Sequence, residues 1–304
     1  MTHRLRLALV GIGKIARDQH LPAIAADPAF ELVAAVSRNA RVEGVANFAT
    51  IDALVASGLA LDAVVIATPP MGRHRIAATA LAAGWHVMVE KPPGATLAEL
   101  RQLVPGDRTL CFGWHSRHAA GVAAAKRWLG DCRITGGAIS WREDIRVWHP
   151  GQDWILAAGG LGVFDPGINA LSILTLVLPA PVWLSGAALD FPANRAAPIA
   201  ATLALACAGA PISGDFDFRH AGTPCWRIRL ATDSGELILD AGGAELSIDG
   251  APQQLPATGE YPGLYQHFAR LIASGASDCD ATPLELVADA FLIGERRQVA
   301  AFDF

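Results

Sequence analysis

The sequence predicts an α/β fold: an N-terminal parallel sheet of the Rossmann type, then an α+β domain with a large, open-faced, mostly antiparallel sheet. Three observations predict it. A glycine-rich turn, Gly11-Ile12-Gly13-Lys14-Ile15-Ala16, follows a short apolar run and opens a stretch of helical periodicity, the context a dinucleotide fingerprint requires. Apolar runs spaced by helical segments fill the first third of the chain, as in βαβ units. After about Trp114 the runs lengthen and alternate with polar residues, as in antiparallel strands with one covered face.

Residues 5–10 form the first buried strand, and helical spacing follows over 15–26. Further buried strands are expected over 32–36, 63–67, 86–89 and 109–113, with helices over 51–57, 73–83 and 97–104 between them. In the second half, a helix over 119–129 leads into strands over 134–142, 182–188, 199–206, 212–218, 225–232 and 235–240, with Gly, Asp and Pro turns between them. A helix is expected over 162–178, and two more over 264–273 and 287–302. The last is announced by Thr282-Pro283-Leu284-Glu285: an N-cap, a Pro at the first helical position and a capping-box Glu. No internal repeat or low-complexity linker interrupts the chain. The expected division is 1–115 for nucleotide binding and 116–304 for substrate binding and oligomerisation.

Composition narrows the function. With 52% hydrophobic and 17% charged residues among 304, the chain can bury a sizeable core and is not disordered. A net charge of -5 and the lack of a Lys/Arg stripe argue against nucleic acid as a partner. Five cysteines, with no C-x-x-C pair, suit reduced thiols in a cytoplasmic protein. Residues 1–6 alternate basic and apolar side chains and lack the pattern of a signal peptide. The apolar stretch 170–189 is broken by Pro179 and Pro181, so it reads as a core helix followed by a strand rather than a membrane span. His and Cys lack the spacing of metal ligands, and no metal is expected.

Within the glycine-rich turn, Gly11 permits the tight bend, Gly13 lets the backbone approach a pyrophosphate, and Ala16 allows close packing of helix on sheet. Ile12, Lys14 and Ile15 complete the loop, whose helix offers free N–H groups to phosphate. The second strand ends at Ser37-Arg38-Asn39, without the acidic residue that bonds ribose hydroxyls in NAD sites. A hydroxyl and a guanidinium suit a 2′-phosphate, so NADP is expected, with NAD possible; Arg38 stacking on adenine is the alternative. Thr68-Pro69-Pro70 turns the chain where the cofactor ribose would lie. His74 admits two readings, a bond near the nicotinamide or a structural role. Glu90-Lys91-Pro92 closes an apolar strand at the sheet's carboxyl edge, where open α/β sheets bind ligands.

These motifs, with Gly159-Gly160-Leu161-Gly162-Val163-Phe164-Asp165-Pro166-Gly167-Ile168-Asn169, resemble the glucose–fructose oxidoreductase / inositol dehydrogenase (Gfo/Idh/MocA) family over the whole chain. Trp141-Arg142-Glu143-Asp144 and Trp148-His149-Pro150 are similar to its aldose 1-dehydrogenase branch, which acts on L-arabinose and D-galactose. The resemblance implies NAD(P)-dependent oxidation of a monosaccharide at the anomeric carbon to a lactone. It implies that Lys91 lies beside the nicotinamide and the sugar, that Pro92 is often cis, and that subunits pair as a homo-oligomer through the second-domain sheet. Most members have His four residues after the Asp; this chain has Asn169. An amide cannot take up a proton, so Asn169 is expected to position substrate.

Asp165 and Asn169, four apart at a helix start, share a face. Asp165 is the favoured general base and Lys91 the cation at the anomeric oxygen; a neutral Lys91 as base is the competing assignment. His115, Glu143, His149 and Asp153 are expected partners for sugar hydroxyls, with Trp148 and Trp226 as apolar platforms. Two other readings stand: a dehydrogenase acting on a secondary ring hydroxyl of another sugar or polyol, and a non-catalytic NADP-binding sensor.

Overall fold

The computed structural model describes residues 4–304; residues 1–3, the start of the segment read for a signal peptide, lie outside the described residues. Strand β1 (Leu5–Val10) runs through the glycine turn into a π-helical segment, Ala16–His20, and then α1 (Leu21–Ala26). The sequence predicts one regular helix here. Pro22 lacks the N–H that would continue the ladder, and the Leu21 N–H reaches back five residues to Ala16 O. Then follow β2 (Phe30–Val36), β3 (Ala46–Phe48), α2 (Ile51–Ala56), β4 (Ala63–Ile66), α3 (Arg73–Ala82), β5 (His86–Glu90), α4 (Leu97–Leu100) and β6 (Leu110–Gly113). The expected helix over 97–104 stops at Leu100, short of Pro105. The six strands form a wholly parallel sheet in the order β3-β2-β1-β4-β5-β6.

Beyond it lie α5 (Val122–Leu129), β7 (Ile134–Arg142), α6 (Ile145–Trp148), α7 (Phe164–Val177), β8 (Val182–Pro192), β9 (Ala200–Cys207), β10 (Ala210–Asp217), β11 (Cys225–Thr232), β12 (Gly235–Asp240), β13 (Glu245–Ile248), β14 (Ala251–Pro252), α8 (Glu260–Ser274), α9 (Thr282–Ile293) and β15 (Glu295–Val299). Nine of these strands form one mixed sheet, β14-β13-β12-β11-β7-β10-β9-β8-β15. Only β7/β10 and β8/β15 pair in parallel. The expected helix over 287–302 is corrected: it starts at Thr282, ends at Ile293, and Glu295–Val299 is an edge strand. Among the described residues, no helix is long and apolar enough to cross a membrane.

The chain divides into two compact units: the segment ending at His115 with Gly259–Ala281, and Ser116–Thr258 with Thr282–Phe304. A contiguous 116–304 domain is therefore not what forms. Helix α8 turns Tyr261, Leu264, Tyr265 and Phe268 into the core of the first unit, against Phe30, Ile24, Leu9 and Met88. The segment after it bonds along β6, with Phe112 N donating to Asp278 O at 2.8 Å and Asp278 N to Leu110 O at 2.9 Å. In the second unit, α7 is buried along most of its length, and Phe164 packs on Phe216 and Phe291 at 5.8 and 5.9 Å between ring centres.

Phe268 stacks on Phe30 at 6.0 Å and is fully buried. Phe268→Ala is expected to lower unfolding stability by about 3–5 kcal/mol, to be read as a lower urea midpoint with loss of the nucleotide unit's cooperative transition.

Candidate active site

The nucleotide half of the site lies in the first unit. Gly11 has φ +92°, and a Cβ there would sit 2.7 Å from the backbone N of Thr68, so only glycine lets the first turn approach the end of β4. Gly13 is different: a Cβ there would meet nothing within 4 Å, which leaves its backbone open to an incoming phosphate. Ile12 is buried beneath the loop, Ile15 is exposed, and Lys14 is ion-paired to Asp18 one turn on. Thr68 Oγ1 is buried without a hydrogen-bond partner, an orphan that a ribose or amide group would satisfy. Pro69 is exposed and Pro70 buried in the same turn. At the end of β2, Ser37, Arg38, Asn39, Arg41, Asn47 and Phe48 line a cavity of about 350 Å³. Arg41 is a second guanidinium there, which the sequence reading missed. These residues fit a dinucleotide with an anionic group at the β2 end.

His74 Nδ1 lies 3.2 Å from Glu99 Oε1, so its ring is placed against an acid of the same unit. Its neighbour Arg73, passed over in the sequence because it looks like one more charged helix residue, is 3% exposed. Its guanidinium donates to the Thr68, Glu90 and Pro92 carbonyls.

Lys91 stands on a buried polar platform. The Glu90 carboxylate accepts the Lys91 backbone N–H at 2.8 Å and the Tyr261 hydroxyl at 2.8 Å, and lies 3.1 Å from His20 Nε2. The other nitrogen of His20 lies 2.9 Å from the Tyr265 hydroxyl. The Lys91–Pro92 bond is cis. His115 belongs to this platform: it stacks on Tyr261 at 4.9 Å and pairs with Glu260. The sequence reading had grouped it with Glu143, His149 and Asp153 of the second unit.

Burial pushes the Glu90 pKa up, but the His20 hydrogen bond and the charges of His20, His115 and Lys91 outweigh it, so the carboxyl is held well below its ordinary 4.5. Burial, then the charge of Glu90, pushes the Tyr261 and Tyr265 hydroxyls well up, which keeps both neutral. The signals for His20, Tyr261 and Tyr265 were polar residues inside otherwise apolar helical faces.

In the second unit, Gly162 (φ +58°) turns the chain into α7, where a Cβ would collide with Pro198 O at 2.2 Å. Asp165 follows, buried at 5% exposure, with its N–H bonded to Gly162 O at 2.8 Å. Asn169 is one turn further along α7 and half-buried. A separate cluster centres on Glu143, whose carboxylate accepts the Trp226 indole N–H at 2.7 Å and lies 2.9 Å from His149 Nε2. Trp148 meets Trp226 edge-on at 4.8 Å and is 43% exposed. Asp153 stands outside this cluster, largely exposed and 3.4 Å from Arg195. Among the described residues no group of three or more His, Cys, Asp or Glu could hold a metal.

Because the Glu90 pKa is lower in the folded chain, its ionised form stabilises the fold fully above its ordinary 4.5, and that contribution drains away as pH falls toward the folded value. Glu90→Gln is expected to be less stable than the parent at neutral pH. Urea unfolding at a series of pH values should show the gap between the two narrowing below 4.5.

Comparison with known proteins gives the family. Residues 5–106 match the family model described as an oxidoreductase family with an NAD-binding Rossmann fold. A galactose 1-dehydrogenase of Pseudomonas fluorescens is 45% identical over 98% of both chains. The crystal structure of a D-galactose-1-dehydrogenase from Rhizobium etli is 49% identical, with a TM-score of 0.95 over 100% of this chain and 99% of that one. A 3-ketoreductase from Actinomadura kijaniata, solved with NADP, shares the fold at 20% identity, with a TM-score of 0.82 over 98% of this chain and 100% of that one. The chain belongs to the Gfo/Idh/MocA family of oxidoreductases with an NAD-binding Rossmann fold.

Proposed function

We propose that the chain is a cytoplasmic, NADP-linked aldose 1-dehydrogenase that oxidises D-galactose and L-arabinose at the anomeric carbon to the lactone. The observation that carries this reading is the full-length likeness to two proteins named galactose 1-dehydrogenase. The two sugars share ring stereochemistry, so one pocket can accept both.

The nicotinamide supplies the hydride acceptor when bound. Arg38 and Arg41 would offer forked donors to a 2′-phosphate at the β2 end, and the open backbone at Gly13 would hold the pyrophosphate. Asp165 takes the proton of the anomeric hydroxyl as general base. Lys91 holds the same oxygen through its ammonium and stabilises the charge that develops there. Asn169 orients the sugar but cannot take a proton. Glu143 fixes His149 and Trp226, so that His149 meets a hydroxyl and the Trp148–Trp226 corner receives an apolar C–H face. The reading includes a homodimer through the open face of the second sheet. Trp183 is 57% exposed there, and the small residues Thr202 and Ala204 are exposed on β9; sedimentation equilibrium reads this directly.

Purified protein given NADP and either sugar should produce reduced cofactor and a lactone. A keto-sugar product would move the reaction to a secondary hydroxyl, and tight NADP binding without turnover on any sugar would make the chain a sensor. Asp165→Ala is expected to lower kcat by about 10²–10⁴-fold; near-parental turnover would leave Lys91 as the base. Arg38→Ala removes a charge-assisted contact of about 1.5–3 kcal/mol. It should raise the NADP KM by about 10–100-fold while the NAD KM stays nearly constant.

A further inference from the structure

We infer that Arg73 is a positioning residue for Lys91, locking the peptide that carries the lysine to the turn that ends β4. Two strands stop at adjacent places on the sheet edge, β4 before Thr68-Pro69-Pro70 and β5 before Lys91-Pro92-Pro93. Four prolines follow these strand ends, and none has an N–H to offer a neighbouring carbonyl. Buried carbonyls need donors. Arg73 supplies them from the start of α3: Nε bonds Thr68 O at 2.9 Å with Nη2 on the same oxygen, and Nη1 bonds both Glu90 O and Pro92 O.

The carbonyls on both sides of Lys91 are therefore held by one nitrogen of a rigid planar group, while the Lys91 N–H is held by the Glu90 carboxylate. The other edge of that group holds Thr68, whose backbone N is the atom closest to the space a Gly11 Cβ would need. A guanidinium in a fixed fork can span three carbonyls; an ammonium is a compact point donor and cannot hold the same spacing. Arg73 thus sets the distance between the cofactor turn and the lysine. Displacement of a reacting group by about 1 Å can cost 10²-fold in rate.

The inference rests on the reading of Lys91 as the cation at the anomeric oxygen, and a double-mutant cycle separates the two. In Arg73→Lys, galactose oxidation with NADP at saturating sugar should fall by about 10–100-fold in kcat, with the galactose KM changed less than about threefold because no sugar contact is lost. Arg73→Gln, which keeps an amide donor without the fork, should fall similarly, and it serves if Arg73→Lys does not fold; thermal unfolding of each variant reports its integrity. In a Lys91→Met background, where residual turnover is followed over hours, Arg73→Lys should cost less than about twofold further. The inference is overturned if both Arg73 variants keep kcat within about twofold of the parent, or if Arg73→Lys costs as much with Lys91 absent as with it present. Full turnover by Lys91→Met alone would remove the lysine's role and the inference with it. A dead Lys91→Met beside a fully active Arg73→Lys would remove only the role of Arg73.

Discussion

Burying a carboxylate costs several kcal/mol unless its oxygens are met by donors, and Glu90 sets that demand on the nucleotide unit. The demand is met from elements far apart in sequence. His20 comes from the π-helical segment after the glycine turn, Tyr261 from α8, and the Lys91 N–H from the strand end itself. Each donor is in turn constrained: His20 by Tyr265, and Tyr261 by the His115 ring stacked on it. The widened turn that Pro22 imposes on the first helix lies in the segment carrying His20, so an irregularity of the backbone and a polar contact of the core belong together.

The arrangement separates two electrostatic tasks. Below the sheet edge, neutral tyrosines and a histidine surround a fixed negative charge. At the edge itself, the Arg73 guanidinium donates to the Thr68, Glu90 and Pro92 carbonyls. Lys91 is carried between them. Asn169, one turn after Asp165 on α7, is an amide and cannot take up a proton.

The parallel sheet was legible because strands covered on both faces must be continuously apolar, as 63–66 and 87–89 are. Strand β15 was not, because Glu295-Arg296-Arg297-Gln298 has no apolar period; it is a strand only because its backbone pairs with the free edge of β8. Strand β3 is three residues long and leaves no pattern to read. The glycine turn, Glu90-Lys91-Pro92, Asp165, Glu143 and His149 stood out in local motifs, whereas the bond from Trp226 to Glu143 spans 83 positions and left no local signal. Arg73, His20 and Tyr261 were not legible, because their roles depend on contacts as far as 17, 245 and 171 positions away in the chain. For the same reason the contacts of His115 with Tyr261 and Glu260 left no local signal.

The return of α8 to the first unit has a consequence for the order of synthesis. A ribosome that has released residues 1–115 has released all six strands of the parallel sheet, yet not the helix that brings Tyr261, Tyr265 and Phe268. Until about 160 further residues have emerged, Glu90 and His20 lack their tyrosine partners and Phe30 lacks the ring that covers it. The nucleotide-binding half is thus begun first and completed nearly last, and it is not a module that can be excised at His115.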